Sequence, residues 1–219
     1  MLKSVLAILV LLGSPAAAQE KVAEYRSGGV NFKVPVPPGY CLPKESQFDA
    51  LRAAAAGDNR NVTHLALLAC NIAADGSIPE YILFKTPDEV VNATLELGQF
   101  LAEAGAAFES PAMAELLASG KLNKESEASI SKALGSKIDL SGGVRPLGKD
   151  ERCAYMGGTM QVQRAAIAYK ISVGTCMTVV AGRLMTINWY GPDKGAAGVA
   201  ASLAASKRLA VSIRGAPAP

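Results

Sequence analysis

Residues 152–190 carry three strand-forming segments in direct succession: RCAYMGGTMQVQ, AAIAYKISVGTCMTVV and RLMTINWY. Rich in valine, isoleucine, threonine and tyrosine, they read as consecutive antiparallel strands, a meander. GPDKG ends the meander, and AAGVAASLAASKRLAVSI follows as a helix with Val199, Leu203, Ser206 or Lys207, and Ala210 in step. The remaining GAPAP is expected to be a loose tail. Strands with one apolar face need a cover, and helices supply it. The fold class is therefore α+β, an antiparallel sheet covered by helices in a sandwich-like arrangement.

The same meander constrains the cysteines, of which the chain has four. If its first hairpin turns at Arg164-Ala165, paired residues have numbers summing to about 329, as those of Cys153 and Cys176 do. The two would lie within the Cα separation of ~4.4–6.8 Å that a disulfide accepts. Glycines at 157, 158 and 174 allow bulges that would shift this register. The scheme leaves Cys41 for Cys70. Each bridge would close a loop of about 25–30 residues, worth roughly 3–4 kcal/mol in the chain-entropy model.

Upstream, VNFKVPV (30–36) alternates, with Val30, Phe32, Val34 and Val36 on one face. Pro35 points away from that face and marks an edge strand or a strand end. Pro37-Pro38-Gly39 then forces a turn. ESQFDALRAAAA (45–56) has helical spacing, and THLALLACNI and PEYILFKT are strands joined through an Asp75-Gly76 turn. Thr86-Pro87-Asp88-Glu89 has the form of a capping box, predicting a helix through Val90, Thr94, Leu97, Leu101, Ala104 and Phe108 that runs to Gly105 or a little beyond. Ser110-Pro111 starts another helix, and NKESEASISKALG a third, capped by Asn123 and stopped by Gly135. Residues 87–135 thus form a helical centre, followed by a short strand, VRPL.

The first 18 residues read as a secretory signal peptide: Lys3, an apolar stretch from Val5 to Leu12, and Ala16-Ala17-Ala18 before the expected cut. About ten apolar residues do not span a bilayer, which needs roughly twenty. Residues 19–219 form one domain, exported to the periplasm or secreted, with no transmembrane segment in the mature chain. Disulfides suit that compartment. The formal charge of +3 falls to about +2 without Lys3, and no run of Lys or Arg forms a basic patch, which argues against nucleic acid.

The sequence offers no catalytic constellation. GVRPLGKD (143–150) matches part of a phosphate-binding loop, but Asp150 stands where the magnesium-binding hydroxyl belongs and Pro146 removes a backbone donor. It reads as a strand-connecting loop. Ser129-Ile130-Ser131-Lys132 has the S-x-x-K form without its companion motifs. His64 is the one histidine, in a strand in phase with Ala66, Leu68 and Cys70. It cannot make a usual zinc site, and a Ser-His-Asp hydrolase would depend on it as base. No cofactor or metal is implied. Of the two glycosylation-type sequons, at Asn61 and Asn92, the second falls in the expected helix, which favours a prokaryotic protein. Trp189 and Tyr190 end the last strand, as a recognition surface or as closure of the core under the C-terminal helix.

VNFKVPVPPGY at one end, and ISVGTCMTVVAGRLMTINWYG followed by a helix at the other, resemble the PsbP-like family of exported proteins. The resemblance implies an α/β/α sandwich that serves as a docking or assembly module without conserved catalysis. The four cysteines and the long helical centre depart from that pattern, and no functional residue carries over. The expected function is a non-enzymatic interaction or assembly module with an envelope protein as partner, its oligomeric state left open. Two alternatives are a carrier of a small apolar ligand between sheet and Ala-rich helices, and a hydrolase using His64.

Overall fold

The computed structural model describes residues 21–45, 55, 58, 60–71, 80–164 and 167–218. The expected signal peptide, most of the helix at 45–56 and the Asp75-Gly76 turn lie outside the described residues. The strands are β1 (Val22–Ser27), β2 (Val30–Pro35), β3 (Tyr40–Cys41), β4 (Asn61–Ala69), β5 (Tyr81–Pro87), β6 (Ile138–Lys149), β7 (Ala154–Arg164), β8 (Ile167–Val180), β9 (Arg183–Pro192) and β10 (Arg214–Pro217). The helices are α1 (Leu97–Phe108), α2 (Pro111–Ala118), α3 (Lys121–Leu134) and α4 (Gly195–Ser212). The fold is α+β, with every strand pair antiparallel.

A seven-stranded sheet runs β3-β4-β5-β9-β8-β7-β6, and a three-stranded one β1-β2-β10. Val30, Phe32 and Val34 of β2 are buried and pair with Ser27, Tyr25 and Ala23 of β1, so the small sheet presents a single inward face. That face meets Leu65, Leu67, Ile82, Phe84, Met185 and Ile187 of the large sheet in one core. Fully burying such side chains contributes about 1.5–3 kcal/mol each. Beside the small sheet, α4 covers β7, β8 and β9, while α1 packs on β8 and α3 on β6.

The small sheet corrects the expectation of a loose tail. Ile213, 2% exposed, plugs the core after α4 and turns the chain extended, and Arg214–Pro217 then pairs with β2. Pro35 ends β2, which is the middle strand and not an edge.

The capping box does not form, because sheet pairing claims its first residue. Thr86 pairs with Val62 inside β5, is 2% exposed, and donates from Oγ1 to the Leu184 carbonyl at 2.9 Å. A single 3-10 turn follows at Asp88–Val90. The helix begins only at Leu97, where the Glu96 carboxylate accepts from the backbone N–H of Gly98 and Gln99 at 2.9 and 2.7 Å. Val90 and Thr94 therefore lie outside it, and it ends at Phe108, a little beyond Gly105 as expected. The Asn92 sequon is likewise not helical, and the Asn92 and Ala93 carbonyls accept from Arg183 Nη1 at 2.6 and 2.7 Å.

Ser110 caps α2 as expected. Asn123 lies inside α3 instead of capping it, and its amide donates to the Gly142 carbonyl at 2.7 Å. Gly135, at φ +60°, stops that helix in the left-handed conformation that glycine adopts freely. The segment GVRPLGK is no connecting loop but the last seven residues of the twelve-residue β6. Pro146 is tolerated there because β6 is the sheet's edge and its register shifts between Pro146 and Gly148.

Disulfides join Cys41 to Cys70 and Cys153 to Cys176, with Cα separations of 5.1 and 5.3 Å. The β7–β8 register differs from the one anticipated. Tyr155 faces Cys176 and Arg164 faces Ile167, pairs that sum to 331. Cys153 precedes β7 and reaches Cys176 diagonally, and Ala165 of the expected turn lies outside the described residues.

Candidate functional site

Pro37-Pro38-Gly39-Tyr40 is a tight turn in which Tyr40 N–H donates to the Pro37 carbonyl at 3.0 Å and Gly39 takes φ +85°. A proline followed by a glycine of positive φ is the chemistry of a type II turn. Two further backbone bonds hold the corner: Val36 N–H to the Lys21 carbonyl at 2.7 Å, and Cys70 N–H to the Gly39 carbonyl at 2.8 Å. The Cys41–Cys70 bridge ties the two-residue β3 to the end of β4 beside it. The corner stands opposite the C-terminal half of α4, and the two enclose an open cleft of about 810 Å³. Val36, the prolines, Trp189, Ala205 and Leu209 give it an apolar lining, and Lys21 and Arg208 supply its cations. A volume of roughly 300–1,000 Å³ is the usual range for sites that take a small molecule.

Trp189 sits in the floor of this cleft. Its Nε1–H donates to Glu80 Oε1 at 2.9 Å, and its ring meets Tyr40 edge to face, with centroids 5.0 Å apart. Burial, then the Glu80 carboxylate, push the Tyr40 phenol well above its ordinary range. Tyr190 points to the opposite face of the sheet, as the alternation of a strand dictates. There it stacks on its cross-strand partner Tyr81, with centroids 4.4 Å apart. Trp189 and Tyr190 therefore do not form one recognition surface. Trp189 both packs against the core and lines the cleft.

His64 is not in phase with Ala66 and Leu68. The β4–β5 register shifts between Thr63 and Leu65, making His64 the extra residue of a bulge. Its ring turns toward β1, stacked on Tyr25 with centroids 5.2 Å apart. Nε2 lies 3.0 Å from Thr86 Oγ1 and 3.3 Å from Ser27 Oγ. The Thr86 hydroxyl hydrogen goes to Leu184, so Thr86 accepts from His64 and Nε2 carries the proton. A protonated Nε2 cannot take a proton from Ser27, which is itself 7% exposed. The geometry gives the Ser27–His64 contact no general base. Burial also lowers the His64 pKa, favouring the neutral ring. Ser129, the serine of the S-x-x-K match, lies half-buried within α3, and Ser131 Oγ two residues on accepts from Ile138 N–H at 2.8 Å, joining α3 to β6.

Asp150, where the phosphate-loop match fails, fastens α4 to the β6–β7 connection. Its carboxylate accepts from the backbone N–H of Arg152 and Cys153 at 2.8 and 2.9 Å, from the Tyr155 hydroxyl at 2.7 Å and from Lys207 at 2.6 Å. Burial alone would raise its pKa, but these donors together hold it well below the usual carboxylate range. No group of three or more potential metal ligands occurs among the described residues. No helix among them is long and apolar enough to cross a membrane.

No family model matches this chain, and no curated protein does. Among solved structures it is similar to the solution structure of cyanobacterial PsbP (CyanoP) from Synechocystis sp. PCC 6803. That similarity has a TM-score of 0.37 and 13% identity, and it covers 93% of this chain and 98% of the other. The PsbP-like resemblance is weak. The cleft itself was only partly signalled in the sequence. Pro37-Pro38-Gly39 announces the turn, but nothing local brings Arg208 or Trp189 to it from more than 140 residues away.

Proposed function

We propose that this protein is a non-enzymatic extracytoplasmic interaction or assembly module whose cleft receives a segment of an envelope protein. The observation that carries the reading is the apolar cleft of about 810 Å³ between the Pro37–Tyr40 corner and α4. Its walls are built to keep their shape: a proline-glycine turn, a disulfide beside it and a helix fastened through Lys207 to Asp150. Preorganised walls reduce the ordering cost of binding. Lys21 and Arg208 favour a partner segment with apolar side chains and an acidic flank. Two disulfides and an N-terminal stretch of signal-peptide composition support an exported location, periplasmic or secreted.

A photo-reactive phenylalanine analogue in place of Lys21, at the cleft, tests this in intact cells against the same analogue in place of exposed Lys33 on β2. The reading predicts a discrete protein adduct from the cleft position alone. Equal labelling from both positions, or none from either, would overturn it. A second reading, a carrier of a small apolar ligand, draws on the apolar lining of the same cleft. It predicts an adduct whose mass increment is that of a small molecule.

A further inference from the structure

β6 is one edge of the large sheet, and β3, beside the cleft, is the other. An edge strand carries unpaired backbone groups at every second residue. On β6 these groups meet α3. Ser131 Oγ accepts from Ile138 N–H at 2.8 Å, Glu127 Oε1 accepts from Leu140 N–H at 2.6 Å, and the Asn123 amide donates to the Gly142 carbonyl at 2.7 Å. The helix uses every fourth residue and the strand every second. Four helical residues rise about 6 Å and two strand residues about 6.6 Å, so helix and strand stay in step. Three side chains on one face of α3 thus stand in for a neighbouring strand. Beyond Gly142 the edge is blunted by other means: Pro146 has no N–H to offer, and the ladder to β7 shifts just after it.

α3 holds that place mainly through these bonds. Among its described side chains none is fully buried, and its exposed Arg60–Glu125 ion pair adds little. It hangs between Gly120 and Gly135, at φ +63° and +60°, and a Cβ at either glycine would meet nothing within 4 Å. An element with few buried contacts and exposed hydrogen bonds opens before the core does.

We propose that α3 is a detachable guard of this edge, and that β6, once freed, pairs with β6 of a second copy of the chain. Every copy presents the same edge, and an antiparallel pair of identical strands closes about a two-fold axis. Charge sets the register. Asp139 and Arg145 are both exposed, and with Asp139 opposite Arg145 of the second copy the two-fold makes two ion pairs. The same register sets Leu140 opposite Val144 and puts no like charges face to face. The neighbouring registers would set Lys137 opposite Arg145 or opposite Lys149. Asp139 now pairs with Lys137 at 2.9 Å on the exposed surface, a contact that costs little to exchange.

The test is sedimentation velocity of the mature protein carrying Asn123→Ala, Glu127→Ala and Ser131→Ala together, with circular dichroism to check the fold. The parent should sediment as a monomer and the triple variant as a concentration-dependent dimer. Hydrogen exchange at the Leu140 amide should accelerate by about tenfold or more, the effect of losing a charged acceptor. Adding Asp139→Arg should weaken the dimer by about tenfold or more, and Arg145→Asp on top of it should restore the dimer. Glu127→Ala alone gives the same comparisons if the triple variant does not fold. A variant that stays monomeric, or a dimer indifferent to both charge changes, would overturn the proposal. Faster exchange in a monomer would assign the freed edge to a strand of another protein instead.

Discussion

Gly174 of β8 lies where α4 rests on the sheet, and replacing it with alanine tests how that helix is seated. A Cβ there would come within 2.6 Å of both Leu203 N and Ser202 Cβ, and within 2.7 Å of the Ser202 carbonyl carbon. Two of these atoms are helix backbone, so no rotamer change relieves the clash. α4 would have to lift. Ser206 Oγ donates to the Gly174 carbonyl at 3.1 Å, and that bond would stretch with it. Overpacking costs about 1–3 kcal/mol and a lost buried hydrogen bond about 1 kcal/mol, so Gly174→Ala should destabilise by about 3 kcal/mol. For a chain of this size each kcal/mol lowers Tm by about 2–4 °C, giving a drop of roughly 6–12 °C. Thermal unfolding followed by far-UV circular dichroism reads this directly. Gly143→Ala is the control, since a Cβ there meets nothing within 4 Å. It should stay within about 0.5 kcal/mol of the parent. Equal Tm values for the two variants would refute the tight seat.

Two further results are expected. Burial holds the His64 pKa below its ordinary value, so protonation opposes folding. Its contribution is intact above about pH 6.5 and is lost as pH falls through that value toward the lower pKa of the folded state. His64→Gln should therefore flatten the decline of Tm between about pH 7 and 5, and an unaltered profile would contradict the assignment. Cys153 and Cys176 are both 0% exposed, whereas Cys70 is exposed at the cleft. Mild reduction with alkylation under native conditions should label Cys41 and Cys70 first. Simultaneous labelling of all four would show that the buried bridge opens as readily.

Much of the sheet was legible in the sequence because its strands are long and locally self-consistent. The meander from β7 to β9 and the buried face of β2 follow from strand-forming residues and period-two alternation. Errors arose where pairing partners far along the chain override a local signal. Thr86-Pro87-Asp88-Glu89 is a good helix start in isolation, yet β4 and Leu184 hold Thr86 in the sheet. Arg214–Pro217 becomes a strand only because β2 waits beside it, more than 180 residues earlier in the chain. α4 carries a different lesson. Apolar stepping selects Val199, Leu203, Ser206 or Lys207, and Ala210. Ser206 and Ala210 are buried, but Val199 and Leu203 are only half-buried, and the rest of the buried face is Gly198, Ser202, Ala205 and Leu209. Small side chains let the helix lie close to Gly174, a pairing that hydrophobicity does not register. The bulge that turns His64 toward β1 is equally silent, since nothing in Thr63-His64-Leu65 marks an extra residue. The cleft is the product of these long-range contacts, and for that reason only its Pro37-Pro38-Gly39 corner could be read beforehand.

Native mass spectrometry of the protein, released gently from the envelope at its endogenous level, addresses the proposed function most directly. A mass increment the size of another protein is predicted, and Arg208→Glu in the cleft should remove it while leaving the fold's Tm unchanged. A bare monomer, or a complex indifferent to Arg208→Glu, would contradict the cleft as the site of interaction.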